Sequence, residues 1–344
     1  VSMDNCARNG EKLRAGVLSM ARGWAERGLV EPAFLDWLED EGRVSFPWSM
    51  IDKITPHPSE RVQEELGRLG VADMAIARTN TGTLIAPFVN AEITEYLVLE
   101  DAFPNGRPAL EGAGVYLTDR TTVEKAEKMK VGTCLNPLHT ALAVYGCLLG
   151  YTSIAAEMGD ADLKALVEQI AAESLPVVED PGILSPRAFI DEVLHERFPN
   201  PAIPDTPQRI AADTSQKLPV RYGGTLRRYA RQSEQALAGL EFAPLVFAGW
   251  CRYLLGVDDR GNAMPVSPDP MLPQLQAHLK GIEVGRPDSL AGQLRPILSN
   301  AALFGVDLYA AGLGERTEEM FRDMLAGPGA VRATLHRNCA CKQP

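Results

Sequence analysis

The feature of this sequence that most constrains its fold is a change of pattern near residue 119. Before this point, short helical segments alternate with β-rich patches at 83–89 and 94–99. After it, segments with helical spacing follow one another, the first at 122–130. We therefore predict a mixed α/β piece over residues 1–118, followed by a larger and mostly α-helical domain over 119–344.

The sequence of the first domain contains signals for the starts and ends of helices and strands. Residues 1–5 are predicted to end a strand, and Asn9 is predicted to cap a helix over 11–28. Residues 43–48 are predicted to form a strand that is stopped by proline, and 49–59 to form a loop.

The second domain opens with two helix-start signals. Thr121 and Glu124 have the spacing of a capping box. Asn136 is followed by a proline, which is tolerated at the first helical position but not inside a helix. A helix is therefore predicted to start at Asn136 or Pro137 and to run through Leu149 to Gly150. Further helices are predicted over 153–173, 186–197, 225–239, 241–255, 269–281 and 315–326.

Composition excludes several classes of protein. The formal net charge of −11 argues against nucleic acid as a partner, because such binding needs a positive surface. No apolar run reaches the roughly 18 residues of a membrane span, and no signal peptide is visible, so a cytoplasmic location is predicted. Cys339 and Cys341 with the nearby His336 are weak evidence for a metal site, so free thiols and no metal are predicted.

Asn136 and His139 are the first candidates for chemistry. Three residues apart, they share the first turn of a helix, whose positive end suits an anion such as an alkoxide. Alternatively, Asn136 only caps the helix and His139 is a solvated or core residue. Lys130 precedes Asn136 by six residues and could act as a base; Lys125 and Lys128 compete for that role.

A second group of charged residues recurs every four positions: Arg209, Asp213, Lys217 and Arg221. On one helix they would form a polar stripe, which is usually solvated. Alternatively, Arg209 and Lys217 bind a carboxylate or hydroxyl groups, since a guanidinium matches a carboxylate in two hydrogen bonds.

Two polar positions lie in otherwise apolar segments. Asn5 follows a predicted strand end, where open α/β sheets place ligand-binding groups. Asp52 lies in an apolar segment between prolines. The metallohydrolase, serine hydrolase and phosphate-cradling motifs HExxH, GxSxG and GxGxxG are absent from the sequence.

Four of these segments occur in a meaningful order: SMDNCARNG, SFPWSMIDKITP, a lysine followed by LNPLH, and RIAADTSQKLPVR. This series resembles the mannitol dehydrogenase family of long-chain polyol and sugar-acid dehydrogenases. Residues 297–321 and 328–335 are also similar to the C-terminal region of that family. The segments 134–151 and 250–270 resemble the branch that interconverts D-mannonate and D-fructuronate. Dehydrogenases of mannitol, or of altronate and tagaturonate, are the alternatives.

The resemblance implies a metal-independent, NAD-linked interconversion of a secondary alcohol and a ketone. It implies that residues 1–118 are the C-terminal part of a Rossmann-type dinucleotide-binding domain, and that 119–344 bind the sugar acid or polyol. Lys130 would be the general base, and Asn5 and Asn136 would hold the alkoxide.

The remaining roles follow from the same resemblance. His139 would position the substrate, Arg209 and Lys217 would bind its hydroxyls or carboxylate, and Asp52 would lie beside the nicotinamide.

Two departures from the family pattern affect these expectations. The family more often has the lysine five residues before the asparagine and a glycine after it, so Lys128 remains an alternative base. A glycine-rich cofactor-binding section is lacking, so the chain is expected to be the C-terminal two-thirds of such an enzyme and to bind NAD poorly by itself. A non-catalytic helical binding domain is the distant alternative, and the oligomeric state is left open.

Overall fold

The computed structural model describes residues 1–340, which form two compact units. One unit comprises Val1–Lys128 and Glu179–Ser185, and the other comprises Met129–Val178 and residues 186–340. The first is mixed α/β and the second is mostly helical. The predicted fold class, a mixed α/β piece followed by a mostly helical part, is confirmed at this level.

The first unit is built from short elements. Its helices are α1 (Asn9–Glu26), α2 (Ala33–Glu39), α3 (Glu60–Arg68) and α4 (Arg120–Met129), whose last residue already belongs to the second unit. Its strands are β1 (Ser49–Asp52), β2 (Ala77–Arg78), β3 (Leu84–Ile85), β4 (Tyr96–Glu100) and β5 (Tyr116–Thr118).

The main sheet of this unit has the order β1-β4-β5. Strands β1 and β4 are antiparallel, with Asp52 opposite Tyr96, whereas β4 and β5 are parallel, with Val98 opposite Tyr116. Strands β2 and β3 form a separate antiparallel pair. The strand predicted at 43–48 was misplaced, because the paired residues begin at Ser49.

Asn9 does not cap α1, as the sequence had predicted. It is the first residue of the helix, and its buried amide donates to Ser49 Oγ at 2.7 Å and to the carbonyl of Asp4 at 2.9 Å. Its carbonyl oxygen accepts from the backbone N–H of Ser49. Residues 1–5 lie in no strand, and side-chain bonds of this kind hold Ser2 and Asp4 instead.

Helix α4 is also capped differently from the prediction. The carboxylate of Asp119 accepts from the backbone N–H and the hydroxyl of Thr122, at 3.0 and 2.8 Å. Asp119 thus supplies the N-cap that the sequence had placed at Thr121, two positions later.

The second unit carries the remaining helices. They are α5 (Asn136–Leu149), α6 (Ile154–Glu157), α7 (Ala161–Ser174), α8 (Pro186–Glu192), α9 (Pro207–Ile210), α10 (Thr214–Arg221), α11 (Gly223–Gln232), α12 (Glu234–Ala238), α13 (Phe242–Tyr253), α14 (Leu272–His278), α15 (Arg295–Leu298), α16 (Ala301–Phe304), α17 (Gly314–Met324) and α18 (Ala330–Ala340). Two π-helical turns, Lys130–Cys134 and Val193–Arg197, follow α4 and α8. Single-turn 3₁₀ segments occur at Leu110–Ala113, Leu175–Val177 and Pro287–Ser289.

Helix α5 is the centre of the second unit. It begins at Asn136, one of the two predicted starts, and ends at Leu149; the next residue, Gly150, has φ 80°, the left-handed conformation that closes many helices. Most of its residues are buried, which is typical of a helix that is apolar on every face. It packs against α7, α9 and α13, and α13 packs in turn against α17. Within residues 1–340, no helix combines the length and the apolarity needed to cross a bilayer.

Residues 205–221 do not form the single helix that a four-residue stripe requires. Helix α9 ends at Ile210, and α10 begins only at Thr214. Between them Asp213 has φ 53°, and its N–H donates to the carbonyl of Pro268 at 2.8 Å. This left-handed residue turns the chain, so Arg209 and Lys217 project from two different helices.

Candidate active site

The site is built around the π-helical turn Lys130–Cys134, where α4 gives way to α5. Leu135, with φ −125° and ψ −62°, separates this turn from α5, so Lys130 and Asn136 do not lie on one regular helix. Lys130 is the first residue of this turn and is only 1% exposed. Asn136 and His139 lie in the first turn of α5 and are partly buried.

The three candidate lysines differ sharply in their surroundings. Lys125 is exposed. Lys128 is 42% exposed and faces two carboxylates, with its Nζ 3.4 Å from Glu124 and 3.6 Å from Glu179. Of the three, only Lys130 is buried, and burial is the condition that favours a neutral amine able to act as a base.

The start of α5 is held by the last residue of α10 and by the residue that follows it. Arg221 donates to Thr140 Oγ1 at 2.6 Å and to the carbonyl of Asn136 at 3.3 Å. The hydroxyl of Tyr222 donates to the carbonyl of Pro137 at 2.7 Å. Burial lowers the pKa of Arg221 to about 10. Arg221 is therefore a partly buried support of the site, not the solvated member of a stripe.

His139 and Arg209 meet at one carboxylate, that of Asp205. Asp205 Oδ2 lies 3.0 Å from His139 Nε2, although the ring N–H direction is poorly aligned for a hydrogen bond. Asp205 Oδ1 accepts from Nε and Nη2 of Arg209 at 2.9 and 2.6 Å. The ring of Phe198 lies 5.1 Å from that of His139, so the imidazole is enclosed on that side.

The Lys217 side chain is hydrogen-bonded to nearby backbone carbonyls in this structure. Its Nζ donates to the carbonyls of Ile210 and Ala212 at 2.9 and 2.5 Å, which ties down the turn between α9 and α10. Burial, reinforced by the nearby Arg221, lowers its pKa to about 8. Contact between Lys217 and a substrate stays a prediction.

The other two expected residues lie in the first unit. Asn5 is exposed in the segment before α1, and Asp52 is the buried last residue of β1. The large cavity of this unit, about 830 Å³, is lined by Arg8, Trp48 and Arg120 among others, and by neither Asn5 nor Asp52. The position of this cavity therefore does not support the roles expected for Asn5 and Asp52.

Cysteine and metal chemistry have little support in the described residues. Within residues 1–340, no group of three or more His, Cys, Asp or Glu side chains is placed to hold a metal ion. Cys6 is partly buried and unpaired, as are the buried Cys134, Cys147, Cys251 and Cys339. Cys341, the other half of the Cys-Ala-Cys sequence, lies outside the described residues.

Asp205 and Tyr222 are the site residues that the sequence did not reveal. The contact between Asp205 and Arg209 could have been predicted from the sequence, because the two residues are four positions apart, on either side of the start of α9. The contact between Asp205 and His139 joins residues that are 66 positions apart (205 − 139), so no local sequence pattern predicts it.

Comparison with known proteins gives one consistent result. The family model described as the mannitol dehydrogenase C-terminal domain matches residues 122–316, more than half of the chain. A D-mannonate oxidoreductase of Thermotoga maritima is 56% identical over 337 residues. The match covers 97% of this chain and 62% of that relative, so the chain spans less than two thirds of the relative's length.

Two solved structures agree with this similarity. One is the Pseudomonas fluorescens mannitol 2-dehydrogenase in ternary complex with NAD and D-mannitol, with a TM-score of 0.69 at 30% identity over 100% of this chain and 62% of that one. The other is a substrate-free D-sorbitol dehydrogenase, with a TM-score of 0.76 at 25% identity over 97% of this chain and 61% of that one. The match of the family model across more than half of the chain shows that this chain belongs to the mannitol dehydrogenase family.

Proposed function

We propose that this chain is the substrate-binding and proton-transferring part of an NAD-dependent dehydrogenase that interconverts D-mannonate and D-fructuronate. One observation carries the proposal: a buried lysine precedes a helix whose first turn holds an asparagine and a histidine, in a chain 56% identical to a D-mannonate oxidoreductase. Residues 1–118 would be the C-terminal part of the dinucleotide-binding domain, and 119–344 the catalytic domain.

In this proposal Lys130 is the general base. A hydride leaves a carbon only as its oxygen loses a proton, so the base must meet the substrate hydroxyl where oxyanion donors also converge. The amides of Asn136 and Asn5 would stabilise the developing alkoxide. The positive end of α5 favours negative charge at the same place. When the reaction runs towards the alcohol, Lys130 returns the proton.

Recognition of the acid group would fall to the cationic residues. Arg209 is 61% exposed, so its guanidinium can reach a ligand while Asp205 holds one side of it. His139 would orient a substrate hydroxyl, and Lys217 would add a further donor. A carboxylate at one end of the substrate would separate mannonate from a neutral polyol by its charge.

NAD would accept the hydride, and the structurally similar mannitol 2-dehydrogenase in ternary complex with NAD and D-mannitol supports this choice of cofactor. The sequence of this chain lacks the GxGxxG motif of a pyrophosphate cradle, and β1 runs into a segment with Pro56 and Pro58. We therefore assign only Asp52 to the nicotinamide end. Poor binding of NAD by this chain alone stays a prediction.

The test is turnover in the natural full-length protein, measured as NADH oxidation with D-fructuronate. Lys130→Ala should lower kcat by at least about a hundredfold, the usual contribution of a general base. Lys128→Ala removes an exposed, carboxylate-paired lysine and should leave kcat within about twofold of the wild type.

The reverse pattern, a dead Lys128 variant and an active Lys130 variant, would reassign the base. The substrate is decided separately, by comparing kcat/KM for mannonate, altronate and mannitol. Mannitol is a specific alternative because the structurally similar family member binds D-mannitol. If the full-length protein turns over none of these three substrates, the result would favour the alternative of a non-catalytic binding domain.

A further inference from the structure

One carboxylate contacts two of the side chains that the proposed function assigns to the sugar. Asp205 precedes α9, and its side chain is only 6% exposed. One oxygen faces His139 Nε2 at 3.0 Å, and the other accepts two N–H groups of Arg209 at 2.9 and 2.6 Å. Asp205 thereby couples two residues that come from different helices.

The backbone of Asp205 is held independently of its side chain. Its carbonyl accepts from the N–H of Ile154 at 3.0 Å, and its own N–H donates to the carbonyl of Ile203 at 2.8 Å. These bonds would persist if the carboxylate were replaced. The side chain is therefore not needed to fix the path of the loop, which leaves its contacts with His139 and Arg209 to be explained.

The charge states of the pair follow from its surroundings. Burial lowers the pKa of His139, and Asp205 opposes this shift only in part. Burial alone would raise the pKa of Asp205, but the contacts with His139 and Arg209 outweigh it, and the pKa is lowered. Near neutral pH the site therefore contains a charged carboxylate beside a neutral imidazole.

A neutral imidazole has one protonated nitrogen, and Asp205 decides which. Although the two atoms are not aligned as in a hydrogen bond, an unprotonated and electronegative Nε2 only 3.0 Å from a carboxylate oxygen would be repelled by it, so the tautomer with the proton on Nε2 is favoured. Nδ1 is then left as a hydrogen-bond acceptor. An acceptor suits a substrate hydroxyl, which can donate to it.

We propose that Asp205 is a positioning residue for the sugar substrate. It would present His139 with Nδ1 as the acceptor, and it would hold the Arg209 guanidinium in place for the acid group. This inference rests on the proposed function. The charged groups Arg209 and Arg221 oppose a charge on His139, and the carboxyl group of the buried Glu157 interacts electrostatically with Asp205.

The first test is kinetic. Asp205→Asn keeps the shape of the side chain but removes its charge, and it should lower kcat/KM about ten- to a hundredfold, mainly through KM. Asp205→Glu keeps the charge and should recover part of this loss. Asp191→Asn, which alters an exposed aspartate paired with Arg187 on α8, is the matched control and should change nothing.

The second test is the pH profile, which a purely structural role would not alter. Protonation of His139 blocks Nδ1 as an acceptor, so turnover should fall at low pH. Without the Asp205 charge the imidazolium is less stable, so the acid limb of the Asp205→Asn profile should move to lower pH. In a His139→Ala/Arg209→Ala background, Asp205→Asn should have little further effect, because the two partners are already gone.

The outcomes separate the two proposals. If the wild-type protein turns over a sugar acid and Asp205→Asn matches it in kcat/KM and in pH profile, the positioning role is refuted. An effect of Asp205→Asn that is undiminished in the double-alanine background would refute it as well. If Asp205→Asn fails to fold, Asp205→Glu and the double-alanine variant carry the same comparison. A wild type without turnover refutes the proposed function first.

Discussion

Replacement of Glu157 by glutamine tests a buried carboxyl group that has no visible partner. The Glu157 side chain is fully buried at the end of α6, and within the described residues neither of its oxygens has a hydrogen-bond partner. It lies against α5, where a Cβ built on Gly146 would overlap Oε1 of Glu157. Burial, aided by the charges of Asp205 and Asp160, raises the pKa of Glu157 to about 9.

The size of the effect follows from linkage between ionisation and folding. Glu157 is neutral in the folded state up to about pH 9, whereas in the unfolded chain it ionises above its ordinary pKa of 4.5. Its contribution is therefore lost as pH rises from about 4.5 to 9, at about 1.4 kcal/mol per pH unit. At pH 7 the cost is about 3 kcal/mol, and between pH 5.5 and 8.5 it grows by about 4 kcal/mol.

The assay is urea unfolding of the wild type and of Glu157→Gln at pH 5.5, 7.0 and 8.5. The difference between the two proteins cancels the titration of all other groups. We expect the Glu157→Gln variant to gain stability relative to the wild type as pH rises, by about 4 kcal/mol over this range. Glu168→Gln, at an exposed glutamate of α7, is the control and should give a nearly constant difference.

A stability difference between the wild type and Glu157→Gln that stays constant from pH 5.5 to 8.5 would refute the reasoning. It would mean that the carboxyl group has the same pKa in the folded and unfolded states. Burial without a partner would then not have the electrostatic consequence derived from it.

Two further substitutions test the packing of the helical unit. Gly146→Ala should cost about 2 kcal/mol, because its methyl group would overlap the Glu157 carboxyl, and Glu157→Ala should restore part of this loss in the double variant. Urea titrations showing strictly additive losses would contradict that contact. Arg252→Met should destabilise the protein by about 3 kcal/mol, since the buried guanidinium donates to the carbonyls of Met324, Val257 and Asp258. Thermal melting checks this, and a loss no larger than that of Arg260→Met, at an exposed arginine, would show that these bonds contribute little.

Helix α5 shows what local sequence chemistry can predict. Its start at Asn136 depends on the proline at the next position, and its end depends on the left-handed Gly150. Both signals act within one turn of the helix. No distant residue is needed to interpret them, so the sequence alone indicated both ends of the helix.

The π-helical turn before α5 is a feature that the local sequence does not predict. A break between Lys130 and Asn136 could be predicted from the sequence, but the π-helical form of that break could not. The hydroxyl of Thr225 donates to the carbonyl of Gly132 at 3.2 Å, across 93 positions of sequence. A wide turn stabilised by such a distant donor has no signature in its own five residues.

Asn9 and Asp119 make the same point at the helix starts of the first unit. Asn9 has the right identity for a cap, yet tertiary bonds to Ser49 occupy its amide. Asp119 has an equally suitable side chain, and nothing in the sequence ranks it above Thr121 as the cap. Propensity identifies the candidate residues, while long-range contacts choose between them.

The candidate site itself depends on contacts of the long-range kind. The start of α5 is held by Arg221 and Tyr222, and His139 is held by Asp205, all within the helical unit. Five of the seven residues expected from the family pattern lie in this unit, namely Lys130, Asn136, His139, Arg209 and Lys217, whereas Asn5 and Asp52 lie in the other. Because the supports of α5 come from the end of α10 and the residue after it, substitutions there should alter turnover without touching the substrate. A residue such as Tyr222 would therefore be sensitive to substitution although it has no chemical role in the proposed reaction.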